Sequence, residues 1–108
     1  MNKELLKGSI DLILLNLIAQ KDQYGYELSK KIRLLSNDVY EIGEGTLYPA
    51  LKRLESQKAV ESYWGESIEG GRRKYYRITN EGTTILQAKM NDWQMLTRLV
   101  TLTHEGSE

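Results

Sequence analysis

A run of cations beside two glycines is the strongest chemical signal in this sequence. The full chain balances 15 Lys and Arg against 15 Asp and Glu, so its net charge alone predicts no polyanionic partner. The distribution of charge does, because residues 70–79 hold four cations and no acidic residue. A basic tip on an otherwise neutral protein can bind phosphate groups. The four cations are Arg72, Arg73, Lys74 and Arg77.

A second candidate surface lies on a short helix predicted around Pro49. Leu47, Leu51 and Leu54 follow the spacing i, i+4, i+7, which predicts one apolar stripe packed inward. Because proline lacks an amide proton, we expect Pro49 in the first helical turn, where amides have no intrahelical partner. An ordinary solvated helix surface is the alternative interpretation. The outward face suits a polyanion near the positive end of the helix dipole, and it carries Thr46, Tyr48, Pro49, Lys52 and Arg53.

The first helix must position these surfaces from behind. Residues 5–19 carry apolar side chains around most of the helix circumference, which indicates burial on more than one side. One stripe is expected to face the core of its own chain. The other is assigned to a partner subunit and comprises Leu5, Leu12 and Leu15, with small Gly8 and Ala19.

A second helix is predicted to begin at Tyr24. Its Leu28, Ile32 and Leu35 repeat the i, i+4, i+7 spacing, and residues 36–38 favour a turn at its end. Residues 39–43 are too few for anything but a connection to the Pro49 helix. The two helices therefore predict a helix-turn-helix.

Two strands and a glycine turn are predicted next. Residues 60–65 and 74–79 have the β-branched and aromatic content of strands, and Tyr76 and Ile78 share one face. The turn between them has the basic tip described above. A hairpin directly after a helix-turn-helix is a wing, so the fold class predicted is mainly α with a small β-hairpin.

A last helix is predicted from residue 80 or 81 toward Leu102. Its apolar residues follow a seam of about 3.5 residues, and no earlier segment is left to cover them, so we expect a second copy of the chain there. Residues 104–108 are expected to be a frayed tail. The predicted domains are a winged helix-turn-helix in 1–79 and a dimerisation helix with its tail in 80–108. The seam residues are Leu86, Met90, Trp93, Leu96 and Val100.

The order of these elements favours recognition of double-stranded DNA. A helix fits the major groove, where base pairs are distinguishable, and arginines at a hairpin tip fit the adjacent phosphates or minor groove. Tyr24 and Tyr26, at the start of the second helix, are further candidates. The alternative is a winged helix whose same surface binds a protein.

Three segments resemble the signatures of the PadR family of bacterial transcriptional regulators: Tyr24-Gly25-Tyr26-Glu27-Leu28, residues 45–55 and residues 70–76. The resemblance covers nearly the whole chain, and the single last helix is similar to that of the short subgroup. It implies a dimeric winged helix that represses transcription from inverted-repeat operators. The DNA-contacting positions that it implies are Tyr24, Thr46, Tyr48, Pro49, Lys52, Arg53, Arg72 and Arg73.

Trp93 has two interpretations. In some short members of the family, a tryptophan at a similar place helps to form an aromatic drug-binding site at the dimer centre, and flat ligands stack on such rings. We then expect a planar aromatic ligand that releases the repressor, held by Trp93 and Leu12, and a cationic ligand would also require a nearby carboxylate, Asp92 or Asp11. The alternative is that Trp93 only fills the dimer interface.

Other classes of protein are disfavoured. His104 is the only histidine and the chain has no cysteine, so we predict no catalytic site, no metal site and no cofactor. The glycines at 70–71 lie between strands rather than before a helix, unlike a nucleotide-binding loop. The sequence has neither a leader pattern at residues 1–4 nor an apolar run of membrane-spanning length, so we expect a soluble cytoplasmic protein.

Overall fold

The computed structural model describes residues 3–106. Residues 107 and 108 of the predicted tail, and the side chain of Leu5, lie outside the described part. Over the described residues the chain folds into four helices and a three-stranded antiparallel sheet, which confirms the predicted fold class. The helices are α1 (Lys3–Gln20), α2 (Gly25–Leu35), α3 (Glu44–Ser56) and α4 (Asn80–His104). The strands are β1 (Gln23–Tyr24), β2 (Val60–Glu66) and β3 (Arg72–Ile78), in the order β1-β3-β2.

The core lies where α1 meets α3 and the sheet. Leu14, Leu15 and Ile18 of α1 are fully buried within the single chain. Assigning Leu15 to a partner subunit was therefore wrong, because α3, α4 and β3 of its own chain all contact α1. The other fully buried large side chains are Leu28, Leu51, Leu54 and Val60.

The end of α2 differs from its predicted apolar stripe. Leu28 and Ile32 are buried, but Leu35 is 68% exposed, so the stripe was one residue too long. Ile42, in the connection between α2 and α3, joins the core instead. Periodicity could not find Ile42 because an irregular segment has no repeating angle from which to predict its inward side.

Helix α3 begins earlier than Pro49 suggested. Its N-cap is Gly43, whose carbonyl accepts from the amides of Thr46 and Leu47, so Pro49 is the sixth residue and lies in the second turn rather than the first. Pro49 cannot donate to the carbonyl of Gly45. Both residues are exposed, and water can replace the missing hydrogen bond there.

The wing is longer than predicted and is joined by a third strand. Arg72 and Arg73 begin β3 rather than lying in the turn, which comprises residues 67–71. Gly70 and Gly71 have φ of 95° and 85°, a left-handed conformation that favours glycine. Strand β1 pairs with β3 and so ties the start of α2 to the wing.

Helix α4 has two halves with different surroundings. Ile85 and Leu86 pack against the core, and Asn16 of α1 donates to the sulfur of Met90 at 3.6 Å. The expectation that no earlier segment covers the seam was therefore wrong for this half. His104 lies in the last helical turn and not in a tail. Beyond Met90 the seam is exposed, at Trp93, Leu96, Leu99, Val100 and Leu102.

Candidate nucleic-acid interface

The outward face of α3 has the composition that its sequence predicted. Leu47, Ala50, Leu51 and Leu54 are buried, which anchors the helix through one side. All five predicted contact residues on the other side are exposed: Thr46, Tyr48, Pro49, Lys52 and Arg53.

Tyr48 lies against the start of α2. A Cβ atom added to Gly25 would be 2.5 Å from the Tyr48 hydroxyl oxygen and 2.9 Å from the ring carbon that bears it. Real Cβ atoms are never this close to a ring, so a side chain at position 25 would displace Tyr48. The glycine therefore lets α3 and α2 approach through the tyrosine ring.

Tyr24 lies between α2 and the wing. Its side chain is only 4% exposed, its ring meets the Tyr75 ring edge-on at 5.4 Å, and the Arg73 guanidinium lies 5.7 Å from the ring centroid. Its hydroxyl donates to Glu69 Oε1 at 2.5 Å. Sequence reasoning missed Glu69, because nothing in its local pattern indicates a partner 45 residues away.

The wing cations lie over aromatic rings. Arg72 is 5.4 Å from the centroid of Trp64, and Arg77 is 5.1 Å from that of Tyr63. Contacts of this length are attractive and leave the outer side of the guanidinium accessible. The rings therefore hold the wing cations in place without neutralising them.

Only one wing arginine is paired with a carboxylate among the residues that the structure describes. Arg77 donates through Nε and Nη2 to Glu61 Oε1, at 3.1 and 2.9 Å, and this hydrogen bonding raises the pKa of Arg77. Arg72 and Arg73 form no ion pair within residues 3–106. They are the wing charges best placed to meet an external anion.

A row of tyrosines stiffens the sheet beneath these cations. Tyr63 and Tyr75 stack at 5.6 Å with their planes 15° apart, and the Tyr63 hydroxyl donates to Asp22 Oδ2 at 2.6 Å. That hydrogen bond, with burial, raises the pKa of Tyr63. The hydrogen bond to Glu69, with burial, likewise raises the pKa of Tyr24. Both phenols therefore stay protonated to a higher pH than in the unfolded chain.

Arg53 connects α3 to α1. Its Nη2 lies 2.9 Å from Asp11 Oδ1, and the side chains are 51% and 20% exposed. The sequence had assigned these two residues to different sites, DNA contact for Arg53 and ligand contact for Asp11. The structure joins Arg53 and Asp11 in one ion pair, which lies between the predicted DNA-contact surface and the predicted ligand site.

The four predicted ligand-binding residues share one recess. Asp11 and Leu12 of α1 and Asp92 and Trp93 of α4 line a cavity of about 440 Å³, and Arg53 completes part of its wall. The recess thus contains a ring and two carboxylates, which suit a flat cationic ligand, together with two cations, Arg53 and Lys89, of which Arg53 is already paired with Asp11. Binding of such a ligand remains a prediction.

Two further features bear on function. Between residues 3 and 106, no three His, Asp or Glu side chains are grouped so that they could hold a metal ion. Over the same residues, no helix is both long and apolar enough to cross a membrane.

Comparison with known proteins identifies relatives along almost the whole chain. The model of the Transcriptional regulator PadR-like family matches residues 14–88. An uncharacterized protein of Lysinibacillus sphaericus is 40% identical over 97% of this chain and 96% of its own length. A transcriptional regulator from Clostridium thermocellum has a similar structure, with 40% identity, a TM-score of 0.82 and coverage of 91% of this chain and 95% of its own. A PadR-like transcriptional regulator from Bacillus cereus shares 34% identity with a TM-score of 0.84, over 96% and 99% of the two chains.

The tyrosine hydrogen bonds predict an alkaline limit to stability. Tyrosines of the unfolded chain ionise near pH 10, whereas Tyr24 and Tyr63 ionise higher when folded. Their contribution to the free energy of unfolding is therefore complete below about pH 10 and is lost as the pH rises above it. Urea denaturation at a series of pH values should show this fall. Tyr24→Phe, less stable at neutral pH, should fall less steeply, and parallel curves for the two proteins would contradict the assignment.

Proposed function

The chain belongs to the PadR-like family of transcriptional regulators, and from this premise we propose that it is a cytoplasmic DNA-binding repressor that acts as a homodimer on an inverted-repeat operator. Members of this family are regulators and not enzymes, as the sequence analysis expected. The observation that best supports the proposal is the pairing pattern of the cations. Arg72 and Arg73 on the wing are exposed and form no ion pair within residues 3–106, and Arg73 lies over Tyr24, whose neighbour Gly25 packs against Tyr48 of α3.

We assign base recognition to α3. An α-helix with its side chains is about 10–12 Å across and enters the major groove of B-DNA, which is about 12 Å wide. Tyr48 and Lys52 project from the exposed face and can reach base edges, while Thr46 and Pro49 extend the same face. Wing residues Arg72 and Arg73 then contact phosphates, which position the protein without reading sequence.

Tyr24 and Arg53 also belong to the proposed interface, but both side chains already have partners within the chain. Tyr24 is only 4% exposed and its hydroxyl already donates to Glu69, so little of the side chain is free to contact the DNA backbone. Arg53 already shares its charge with Asp11, so a phosphate must compete with that carboxylate. We expect both residues to contribute less directly than Arg72 or Arg73.

We propose that a second copy covers the outer half of α4. Trp93 is 46% exposed and Leu99 is 57% exposed in the single chain, a contiguous apolar surface that monomers rarely leave to solvent. Pairing two such helices also places two α3 helices at a fixed separation, which two half-sites on DNA require. In this scheme residues 1–79 bind DNA and residues 80–108 hold the dimer together.

We further propose that a planar aromatic ligand can release the repressor. Such a ligand would stack on Trp93, and a positive charge on it would be attracted by Asp11 and Asp92. Asp11 is also the partner of Arg53 on α3, so a cation that engages Asp11 weakens the tie between α1 and α3. A ligand that prefers the altered helix spacing lowers the affinity for the operator.

The DNA proposal predicts two distinct kinds of variant. Arg72→Ala and Arg73→Ala should weaken binding to selected and random duplexes alike, and each should reduce the slope of log K against log salt by about 0.9. Tyr48→Ala and Lys52→Ala should instead reduce the difference in binding free energy between selected and random DNA by about 1–3 kcal/mol. Fluorescence anisotropy at several salt concentrations measures both, on fragments first selected from a random pool by the purified parent protein.

The control for the arginine variants is Arg33→Ala. Arg33 is an exposed arginine near the end of α2 that pairs with Asp38, away from the proposed interface, so its loss should leave the salt slope unchanged. If the wing variants and the α3 variants lost the same affinity on every DNA sequence, the assignment of phosphate contact to the wing and of base recognition to α3 would be refuted. A parent protein that retains no DNA at low salt would favour a protein partner for this surface.

The dimer proposal predicts that sedimentation equilibrium at micromolar concentration will give twice the mass of one chain. Leu99→Glu should raise the dissociation constant at least about tenfold, because a buried leucine contributes about 1.5–3 kcal/mol. Leu35→Glu is the matched control, since Leu35 is 68% exposed on α2, outside the proposed interface. A stable folded monomer of the parent chain would remove the basis for the proposal.

The ligand proposal predicts that a planar cationic acridine dye will quench Trp93 more than Trp64. Single-tryptophan variants, Trp64→Phe and Trp93→Phe, separate the two signals. Trp93→Ala should abolish dye binding and leave the dimer intact, and Asp11→Asn should weaken the acridine more than an uncharged anthracene analogue. If Trp93→Ala dissociates the dimer and no dye binds the parent, the tryptophan only fills the interface.

A further inference from the structure

We propose that Glu69 and Tyr24 form a lock that fixes the wing relative to α3, so that Glu69, an acidic residue on a cationic surface, strengthens DNA binding. Glu69 is in this view a positioning residue that acts through Tyr24. The inference rests on the proposed DNA-binding function and names a residue that determines the geometry of its interface. It follows from a continuous set of contacts that begins at the tip of the wing.

The first contact joins the turn of the wing to the body of the protein. The Tyr24 hydroxyl donates to Glu69 Oε1 at 2.5 Å, a short hydrogen bond of the charge-assisted kind. Other side-chain hydrogen bonding in the turn, from Ser67 Oγ to the Gly70 carbonyl, stays within the turn. Among the side chains that the structure describes, the bond from Tyr24, the N-cap residue of α2, is thus the only side-chain hydrogen bond that links residues 67–71 to the rest of the chain.

The second contact positions a cation of the wing. The Arg73 guanidinium lies 5.7 Å from the centroid of the Tyr24 ring, and Tyr75 contacts the same ring edge-on. Tyr24 therefore contacts two parts of the wing: its hydroxyl contacts the turn, and its ring contacts β3. The position of the Tyr24 ring therefore bears on the position of the Arg73 guanidinium, one of the charges proposed to bind phosphate.

The third contact leads to α3. The residue after Tyr24 is Gly25, and the ring of Tyr48 occupies the space where a side chain at position 25 would lie. The backbone amide of Tyr24 is itself held by Glu27 Oε1 at 3.2 Å. The path Tyr48, Gly25, Tyr24, Glu69 thus links the proposed base-reading helix to the tip of the wing through packed groups.

The sign of the effect on binding tests this role. A carboxylate beside Arg72 and Arg73 repels phosphate, so by charge alone its removal should tighten DNA binding. A wing that is already held in its bound position loses less conformational freedom when DNA binds. By positioning alone, the removal of Glu69 should therefore weaken DNA binding. The two roles predict opposite results.

The experiment measures the affinity of five variants of the full chain, four single and one double, for random and selected duplexes. We expect Glu69→Ala and Tyr24→Phe to bind about three to ten times more weakly than the parent, through a less ordered wing. Glu69→Gln should bind at least as well as the parent, because its amide oxygen still accepts from Tyr24 and the charge is gone. Tightening by Glu69→Ala would overturn the proposal.

The fourth variant, Glu66→Ala, is the matched control. Glu66 is an exposed carboxylate of the same wing, paired in register with Arg72, and its side chain forms no hydrogen bond or ion pair within residues 3–106. Its removal should tighten binding or leave it unchanged. The double variant Tyr24→Phe with Glu69→Ala should lose no more affinity than either single variant, because both remove one interaction. Additive losses would contradict the lock.

Amide hydrogen exchange tests the lock without DNA. The amides of Ser67 and Gly70 donate within the turn, and both should exchange faster in Glu69→Ala and Tyr24→Phe than in the parent. The amides of α1 should be unchanged in Glu69→Ala, which shows that the fold is intact. Unchanged exchange in the turn would refute the lock even if the chain binds DNA. Faster exchange in a parent that binds no DNA would support the lock, and the proposed function alone would fail.

Discussion

Burial of α1 against the remainder of the chain is the constraint on which the structure depends. Leu14 and Leu15 are 0% exposed and Ile18 is 1% exposed. Each such side chain contributes about 1.5–3 kcal/mol when it is removed from water. Because α1 contacts α3, α4 and β3 at once, the two proposed DNA-binding elements share one support. A chain of 108 residues buries a smaller fraction of its surface than a larger protein does.

The charges of the chain are arranged so that a neutral protein keeps a cationic surface. The described ion pairs use Arg33, Arg53 and Arg77, and their acidic partners are Asp38, Asp11 and Glu61. Arg72 and Arg73 instead lie on aromatic rings, which attract a cation without cancelling its charge. The selective pairing, more than the number of cations, produces a surface suited to phosphate.

Helix α4 contributes to two surfaces because the rest of its own chain covers only its first half. Its start is held at the base of the wing, where Thr79 Oγ1 accepts from the amide of Gly82 at 2.9 Å. A side chain at position 82 would collide with the Ala59 carbonyl, so this junction is tight. The first half of α4 is therefore packed against the base of the wing and α1, and the second half carries the apolar residues proposed for the dimer. The same helix thus connects the proposed dimer surface with the proposed DNA-binding elements.

The sequence by itself determined the four helices, the two strands of the wing and their order, because these depend on local patterns, but it did not show the short strand β1. The stripe Leu47, Leu51, Leu54 predicted the buried side of α3, and alternating residues such as Tyr76 and Ile78 predicted the inward side of β3. The basic segment and its glycine turn were likewise visible as a pattern, and so was the resemblance to the PadR family, which the match to the family model over residues 14–88 confirmed. Each of these signals lies within about ten residues of chain.

Only the tertiary structure decided which side chains from distant segments meet. The hydrogen bond between Tyr24 and Glu69 spans 45 residues, and that between Arg53 and Asp11 spans 42. No local pattern encodes such contacts, since they depend on how separate elements converge. For the same reason, periodicity placed Leu15 at a partner interface, although the chain's own α3, α4 and β3 surround α1. A stripe shows that a side chain is buried, and the packing of the whole chain determines what buries it.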